Sequence, residues 1–177
     1  MEFRKAGIEE LQPIYEMYNE VIDHQKYDRY GADWTKDVYP SLKDLEEHLK
    51  NDFFYVAVEK GRYAAAGVIS LSEDPIYRKG TWSHRYPDDQ VAVLHLFTVH
   101  PDFRGKGLAS SFLRYLILET GRTSKVIHLD VVKENEAAFR MYEKVGFRSV
   151  GELKVYYEDT GDIVVDLMEY EYEKSES

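Results

Sequence analysis

The feature that most constrains this chain is a change of hydrophobic period between Gln90 and Ile117. "QVAVLHLFTV", residues 90–99, is β-branched and almost continuously apolar, which predicts a strand. Its alternation predicts Val91, Val93, His95, Phe97 and Val99 on one face. After the turn "HPDFRGKG", apolar residues recur as Leu108, Ala109, Phe112, Leu113, Leu116 and Ile117, which is helical spacing, and Gly121 marks the stop. A strand that runs into a helix through a glycine turn restricts the chain to layered architectures, in which the helix packs back on the sheet.

The remaining segments fit that frame. "FRKA" predicts a short first strand. Ile8, Leu11, Ile14, Tyr15, Tyr18, Val21 and Ile22 predict a helix, with Pro13 tolerable near its first turns. Residues 24–40 read as a loop rich in aromatic and polar groups. Ser41 and Asp44 resemble a capping box that opens a helix with Leu42, Leu45 and Leu49 on one side. "FFYVAVEK" and "YAAAGVISL" predict two strands around Gly61, and residues 73–89 are irregular. "KVIHLDVV" is nearly all apolar, as a buried strand is. Asn135 starts a helix carrying Ala137, Ala138, Met141, Tyr142 and Val145, and Gly146 ends it. Two strands, about 147–157 and 161–170, flank the turn signal "EDTGD". The order βααβββαβαββ predicts an α/β (α+β) domain over residues 1–177 with a mixed sheet.

Charge and composition exclude several functions. The net charge is −10, yet residues 100–125 carry 2 acids against 5 bases. A basic island on an acidic protein suits a small anionic ligand and not a nucleic-acid duplex, which the remainder would repel. There is no cysteine, so disulfide, thiolate and Cys-zinc chemistry are out of reach, and no metal site is expected. The start "MEFRKAGIEE" lacks the apolar core of a signal peptide, and no apolar run is long enough to cross a bilayer. A cytoplasmic protein is expected.

The turn "RGKGLA" brings two glycines, Arg104, Lys106 and a helix N-terminus together. Glycines let backbone amides approach a ligand, and the helix end favours an anion, so phosphate is the expected group. A Walker A loop is excluded, because His100 stands six positions before Lys106 and Gly107 follows it. A dinucleotide fingerprint fits poorly, since Ser110 takes the third glycine position.

The segment "LHLFTVHPDFRGKGLASSFL" resembles the acetyl-CoA-binding motif of the GNAT N-acetyltransferase superfamily, Arg/Gln-x-x-Gly-x-Gly/Ala, through Arg104, Gly107 and Ala109. "NEAAFRMYEKVGF" resembles the family's second cofactor motif through Asn135, Tyr142, Gly146 and Phe147. The resemblance extends to element order over nearly the whole chain. It implies a mostly antiparallel sheet flanked by helices, and acetyl-CoA as cofactor. Backbone groups near Phe97, Thr98 and Val99 would line the pantetheine arm and acetyl group. The turn through Arg104, Gly105, Lys106, Gly107, Leu108 and Ala109 would hold the pyrophosphate. It also implies homodimer contacts through C-terminal sheet edges.

The implied reaction is direct acetyl transfer from the thioester to a primary amine of a small molecule or peptide. An alkylammonium, with a pKa near ~10, must first lose a proton. Tyr142 is the candidate acid for the leaving thiolate, and His95 the candidate base or water-organiser. Asn135 is expected to cap its helix and to contact the cofactor. Tyr30, Trp34 and Tyr86, with Tyr27 and Tyr39, are candidate acceptor walls. His100 reads as structural. Acid at both chain ends favours a cationic acceptor such as a polyamine, an amino-terminal peptide or an aminoglycoside. The alternative on the same fold is a non-catalytic acyl-CoA sensor; a nucleotide-dependent phosphate loop lacks its motif elements.

Overall fold

The computed structural model describes residues 1–157 and 161–173, and the "EDTGD" turn lies largely outside them. The elements are β1 (Glu2–Lys5), α1 (Leu11–His24), α2 (Leu42–Asn51), β2 (Phe53–Glu59), β3 (Arg62–Ser70), β4 (Val91–Val99), α3 (Leu108–Thr120), β5 (Val126–Val132), α4 (Glu136–Val145), β6 (Arg148–Tyr157) and β7 (Gly161–Glu171). The order is the one the sequence predicts. The strands form one sheet, β1-β2-β3-β4-β5-β7-β6, in which every neighbouring pair is antiparallel except the parallel pair β4 and β5.

Local chemistry sets the boundaries. Pro13 is the third residue of α1, where its missing N–H has no intrahelical acceptor to lose. Ser41 Oγ accepts from the Asp44 amide at 3.1 Å, and the Ser41 amide donates to the Asp44 carboxylate at 2.8 Å, which closes the predicted capping box at α2. Leu45 is fully buried under that helix, whereas Leu42, expected on the same side, is 41% exposed because it sits in the first turn, at the rim. Gly121 caps α3 in a right-handed conformation, and the Tyr172 ring lies where a β-carbon would point.

Helices cover both faces. α3 and α4 bury Phe112, Leu113, Leu116, Tyr142 and Val145 against Ala92, Leu94, Ile127 and Leu129. On the other face, α1 and α2 bury Ile14, Tyr18, Val21 and Leu45 against Val56, Val68 and Leu96. At about 25 cal/mol per Å² of apolar surface, these two layers supply most of the drive to fold.

The site comes from one irregularity in β4. Against β3 it pairs His95 with Val68 and Thr98 with Ala66, so three steps of β4 oppose two of β3. The extra residue is a β-bulge, and Leu96 within it has φ +52°. A left-handed leucine costs about 1–2 kcal/mol. The fully buried Tyr18 answers it by donating from Oη to the Leu96 carbonyl at 2.6 Å.

The bulge has two consequences. β4 pairs with β5 only from Val91 to Val93, and then the strands part, leaving a cleft at their C-terminal ends. The alternation also reverses. Ala92, Leu94, Phe97 and Val99 pack toward α3 and α4, while Leu96 packs with α1 and α2. His95 faces His48 of α2, with ring centroids 5.9 Å apart. The expectation that His95 and Phe97 share a face is therefore corrected: one inserted residue puts them on opposite sides.

Candidate functional site

The turn between β4 and α3 is anchored from below and open above. The buried His100 ring accepts the Asp102 amide at Nδ1 (3.2 Å), and its Nε2 meets Glu20 at 2.7 Å, a structural role as expected. Gly105 and Gly107 have φ of +77° and +75°, and a β-carbon at either would meet nothing within 4 Å. Their conformation is the one glycine adopts without strain. From Gly105 to Ser110, no amide donates to a protein acceptor among the described residues, and they sit at the positive end of α3. The turn is thus an open cradle of free N–H groups, which fits an anion.

Arg104 reaches over this cradle. Its Nε donates to the Val99 carbonyl at 3.2 Å, and Nη1 contacts both oxygens of Asp28, at 2.8 and 2.9 Å. Asp28 was not picked out in the sequence, because only the fold brings the residue after the Gln25–Tyr27 turn beside Arg104. Lys106 is exposed on the same turn.

Two cavities meet at the parted strands. The smaller, about 240 Å³, opens beside the cradle and is lined by Thr98, Val99, Arg104, Ala109, Met141 and neighbouring residues. The larger, about 630 Å³, is lined by His95, His48, Asp74, Asp130, Tyr39 and Tyr157, among others. Phe97, Trp34, Asn135, Ala138 and Tyr142 line both. The result is a path from the cradle, past the bulge, to a second chamber.

Tyr142 stands at that junction. It is 7% exposed, and its ring packs on Phe97 and Phe147 at centroid distances of 6.1 and 5.7 Å. Burial, then the charge of Asp130, raises its phenol well above the ordinary range, so the hydroxyl stays protonated. No group of the described residues accepts from it, which leaves a buried donor facing the path. His95 likewise has no hydrogen bond to a described residue. Burial holds its imidazole below the usual value, partly offset by Asp74 and Asp52, so it is a neutral acceptor near pH 7. His48 Nδ1 is fixed by Asp52 at 2.7 Å.

Several of the expected residues lie around the two cavities and others do not. Asn135 caps α4, its Oδ1 accepting from the Ala138 amide at 3.2 Å, while its Nδ2 donates to the Gly31 carbonyl at 3.2 Å. Tyr30 lines the smaller cavity and donates to Glu136 at 3.3 Å, so it lies on the cradle side. Tyr86 lines neither of these two cavities, and its hydroxyl donates to Glu171 of β7 at 3.4 Å. Tyr27 also lies outside both and is 74% exposed. The sequence reading passed over Asp130, although a carboxylate inside the apolar run "KVIHLDVV" was a visible signal.

A sheet whose strands β4 and β5 part, an open amide cradle beside the split and a buried, unpaired phenol between two chambers define an α/β protein with a cleft and an anion-compatible turn at one end of it. Residues 10–147 match the family described as Acetyltransferase (GNAT) family, and the chain belongs to it. Over 68 residues it is 37% identical to the N-alpha-acetyltransferase RimI of Mycobacterium tuberculosis, spanning 38% of this chain and 42% of that protein. It is 24% identical to an N-acetyltransferase of Methanocaldococcus jannaschii over 81% of this chain and 59% of that protein. Each match thus spans less than two thirds of the relative. A GNAT-family acetyltransferase structure from Streptococcus agalactiae superposes with a TM-score of 0.80 at 23% identity, covering 98% of this chain and 96% of that one. The yncA protein of Salmonella typhimurium, solved with its cofactor acetyl-CoA, superposes at 0.70 with 21% identity, over 100% and 96%. These likenesses establish the fold.

Proposed function

We propose that this protein is an acetyl-CoA-dependent N-acetyltransferase that moves the acetyl group directly to a primary amine. The observation that carries the reading is the protonated, unengaged Tyr142 hydroxyl at the junction of the two cavities, one of which opens on the amide cradle. Family membership and the acetyl-CoA complex of a fold neighbour support it. The residues fit the cofactor: the positive-φ glycines, free amides and Arg104 suit a pyrophosphate, and Ala109, Ala138 and Met141 leave an apolar channel for its arm.

When bound, acetyl-CoA supplies an acetyl thioester whose carbonyl accepts the amine. The chain's residues do the rest. His95 Nε2 or Nδ1 accepts the proton that the incoming ammonium must lose, directly or through water. Among the described residues β4 pairs with β5 only as far as Val93, and in this reading a backbone N–H near Phe97 to Val99 holds the carbonyl oxygen. Tyr142 Oη holds the proton that the departing sulfur needs. In this reading Arg104 must exchange Asp28 for phosphate.

The test is acetyl-CoA-dependent thiol release with a panel of amines, beside a thermal shift with acetyl-CoA, ATP and NAD. Stabilisation by acetyl-CoA alone and release with at least one amine class support the enzyme. Stabilisation without release from any amine would favour a sensor that keeps only the cofactor site. The relative named N-alpha-acetyltransferase makes a peptide with a free N-terminus a required member of the panel.

A further inference from the structure

The larger cavity has a one-sided charge pattern. Among the described residues its wall contains Asp33, Asp44, Asp74 and Asp130 and not one lysine or arginine. The acids come from separate elements: the 33–39 loop, α2, the segment after β3, and β5. Three of them have hydrogen bonds, but only from neutral donors. Asp44 is held by Ser41, Asp74 accepts the Ile76 amide at 2.9 Å, and Asp130 accepts the Tyr77 hydroxyl. None of the four has a basic side chain within ion-pair distance among the described residues.

Such a wall is unfavourable while empty. Burial first, and then the charge of Asp74, lift the Asp130 carboxyl above its usual range, against the opposing hydrogen bond from Tyr77. The remaining wall suits a cation. Aromatic side chains, Trp34 among them, also line the chamber, and aromatic rings attract ammonium groups. No three His, Asp or Glu groups among the described residues converge as metal ligands, so the charge faces an organic cation along the chamber. An acceptor that carries its own carboxylate finds no cation here to hold it.

We propose that the acceptor is a linear di- or polyamine, with a second ammonium held by the aspartates while the first reacts beside His95 and Tyr142. The inference rests on the acetyltransferase reading above. In the step, the reacting ammonium gives one proton to His95 and on to solvent, a nitrogen–carbon bond forms, the carbon–sulfur bond breaks, and the nitrogen's second proton balances the one Tyr142 gives the thiolate. The distal ammonium keeps its charge throughout.

The experiment measures thiol release with acetyl-CoA and putrescine, spermidine, n-butylamine, glycine or an alanine-initiated peptide amide. Putrescine or spermidine should exceed n-butylamine in kcat/KM by about tenfold or more, the size expected of one well-placed charge contact, and glycine should be inert. Asp33→Asn and Asp74→Asn keep the local backbone, since asparagine tolerates the positive φ at Asp33 and can cap as Asp74 does. Each should cut the diamine-to-butylamine ratio about threefold or more. Equal rates for n-butylamine, preference for the peptide or glycine, or an unchanged ratio in both variants would overturn the inference and leave the enzyme intact. Silence with every amine while acetyl-CoA still stabilises the protein would overturn the enzyme reading and the inference with it.

Discussion

Gly107 and Gly61 form a matched pair for testing the cradle. Their φ values are +75° and +78°, and a β-carbon at either would meet nothing within 4 Å. Alanine at each therefore costs only the left-handed backbone strain, about 1 kcal/mol, with no steric clash inside the protein. For a domain of this size that is a fall in Tm of about 2–4 °C, the same for both variants. They differ in what lies above them. Gly61 turns the β2–β3 hairpin, whereas Gly107 forms the cradle at the start of α3. A methyl group at Gly107 occupies the space proposed for the pyrophosphate. With acetyl-CoA at 100 times the wild-type Kd, binding stabilises by about 2.7 kcal/mol; a tenfold weaker Kd removes about 1.3 kcal/mol of that. The assay is the acetyl-CoA-induced shift in Tm, backed by titration calorimetry, on wild type, Gly61→Ala and Gly107→Ala. Equal loss of stability with a smaller cofactor shift only in Gly107→Ala is the expected result. Equal cofactor shifts in the two variants would refute the cradle.

Three further outcomes follow from the site. Tyr142→Phe removes a hydroxyl that bonds to no described residue, so Tm should hold while kcat falls about 10²-fold, read by steady-state thiol release; normal turnover would remove the proton-donor role. His95 is active as a base when neutral, and burial lowers its pKa, so its acid limb in kcat/KM should lie below the ordinary value of about 6.5; His95→Gln should abolish that limb, and a limb that survives belongs to another group. Tyr18→Phe leaves the buried Leu96 carbonyl without its 2.6 Å donor, which should cost about 1–3 kcal/mol in denaturant unfolding and lower kcat by loosening the bulge; unchanged stability would mean that the bulge does not depend on it.

What could be read without coordinates was what local chemistry specifies. The order of strands and helices followed from period, caps and turns, because Ser41–Asp44, Asn135 and the glycine turn act on their own neighbours along the chain. The cradle at Arg104 to Ala109 was legible for the same reason: its amides, glycines and helix start are contiguous. The two motifs that carry the family likeness are likewise local runs of sequence.

The second chamber was not legible, and neither were the faces taken by Phe97 and Val99. Both depend on one inserted residue at Leu96, which reverses the faces of β4 and parts it from β5; periodicity treats that strand as uninterrupted. Acid at the chain ends hinted at a cationic acceptor, but two of the aspartates that line the chamber, Asp74 and Asp130, come from neither end. Tyr86 and Tyr27 illustrate the converse, since aromatic character in a loop does not say which cavity, if any, the loop reaches. Sequence by itself determined the elements, the glycine turn and the family likeness, because these are encoded over a few residues. Tertiary structure alone decided the cleft, the Arg104–Asp28 contact and the charge of the second chamber, because each joins residues far apart in the chain through the bulge and the packing that supports it.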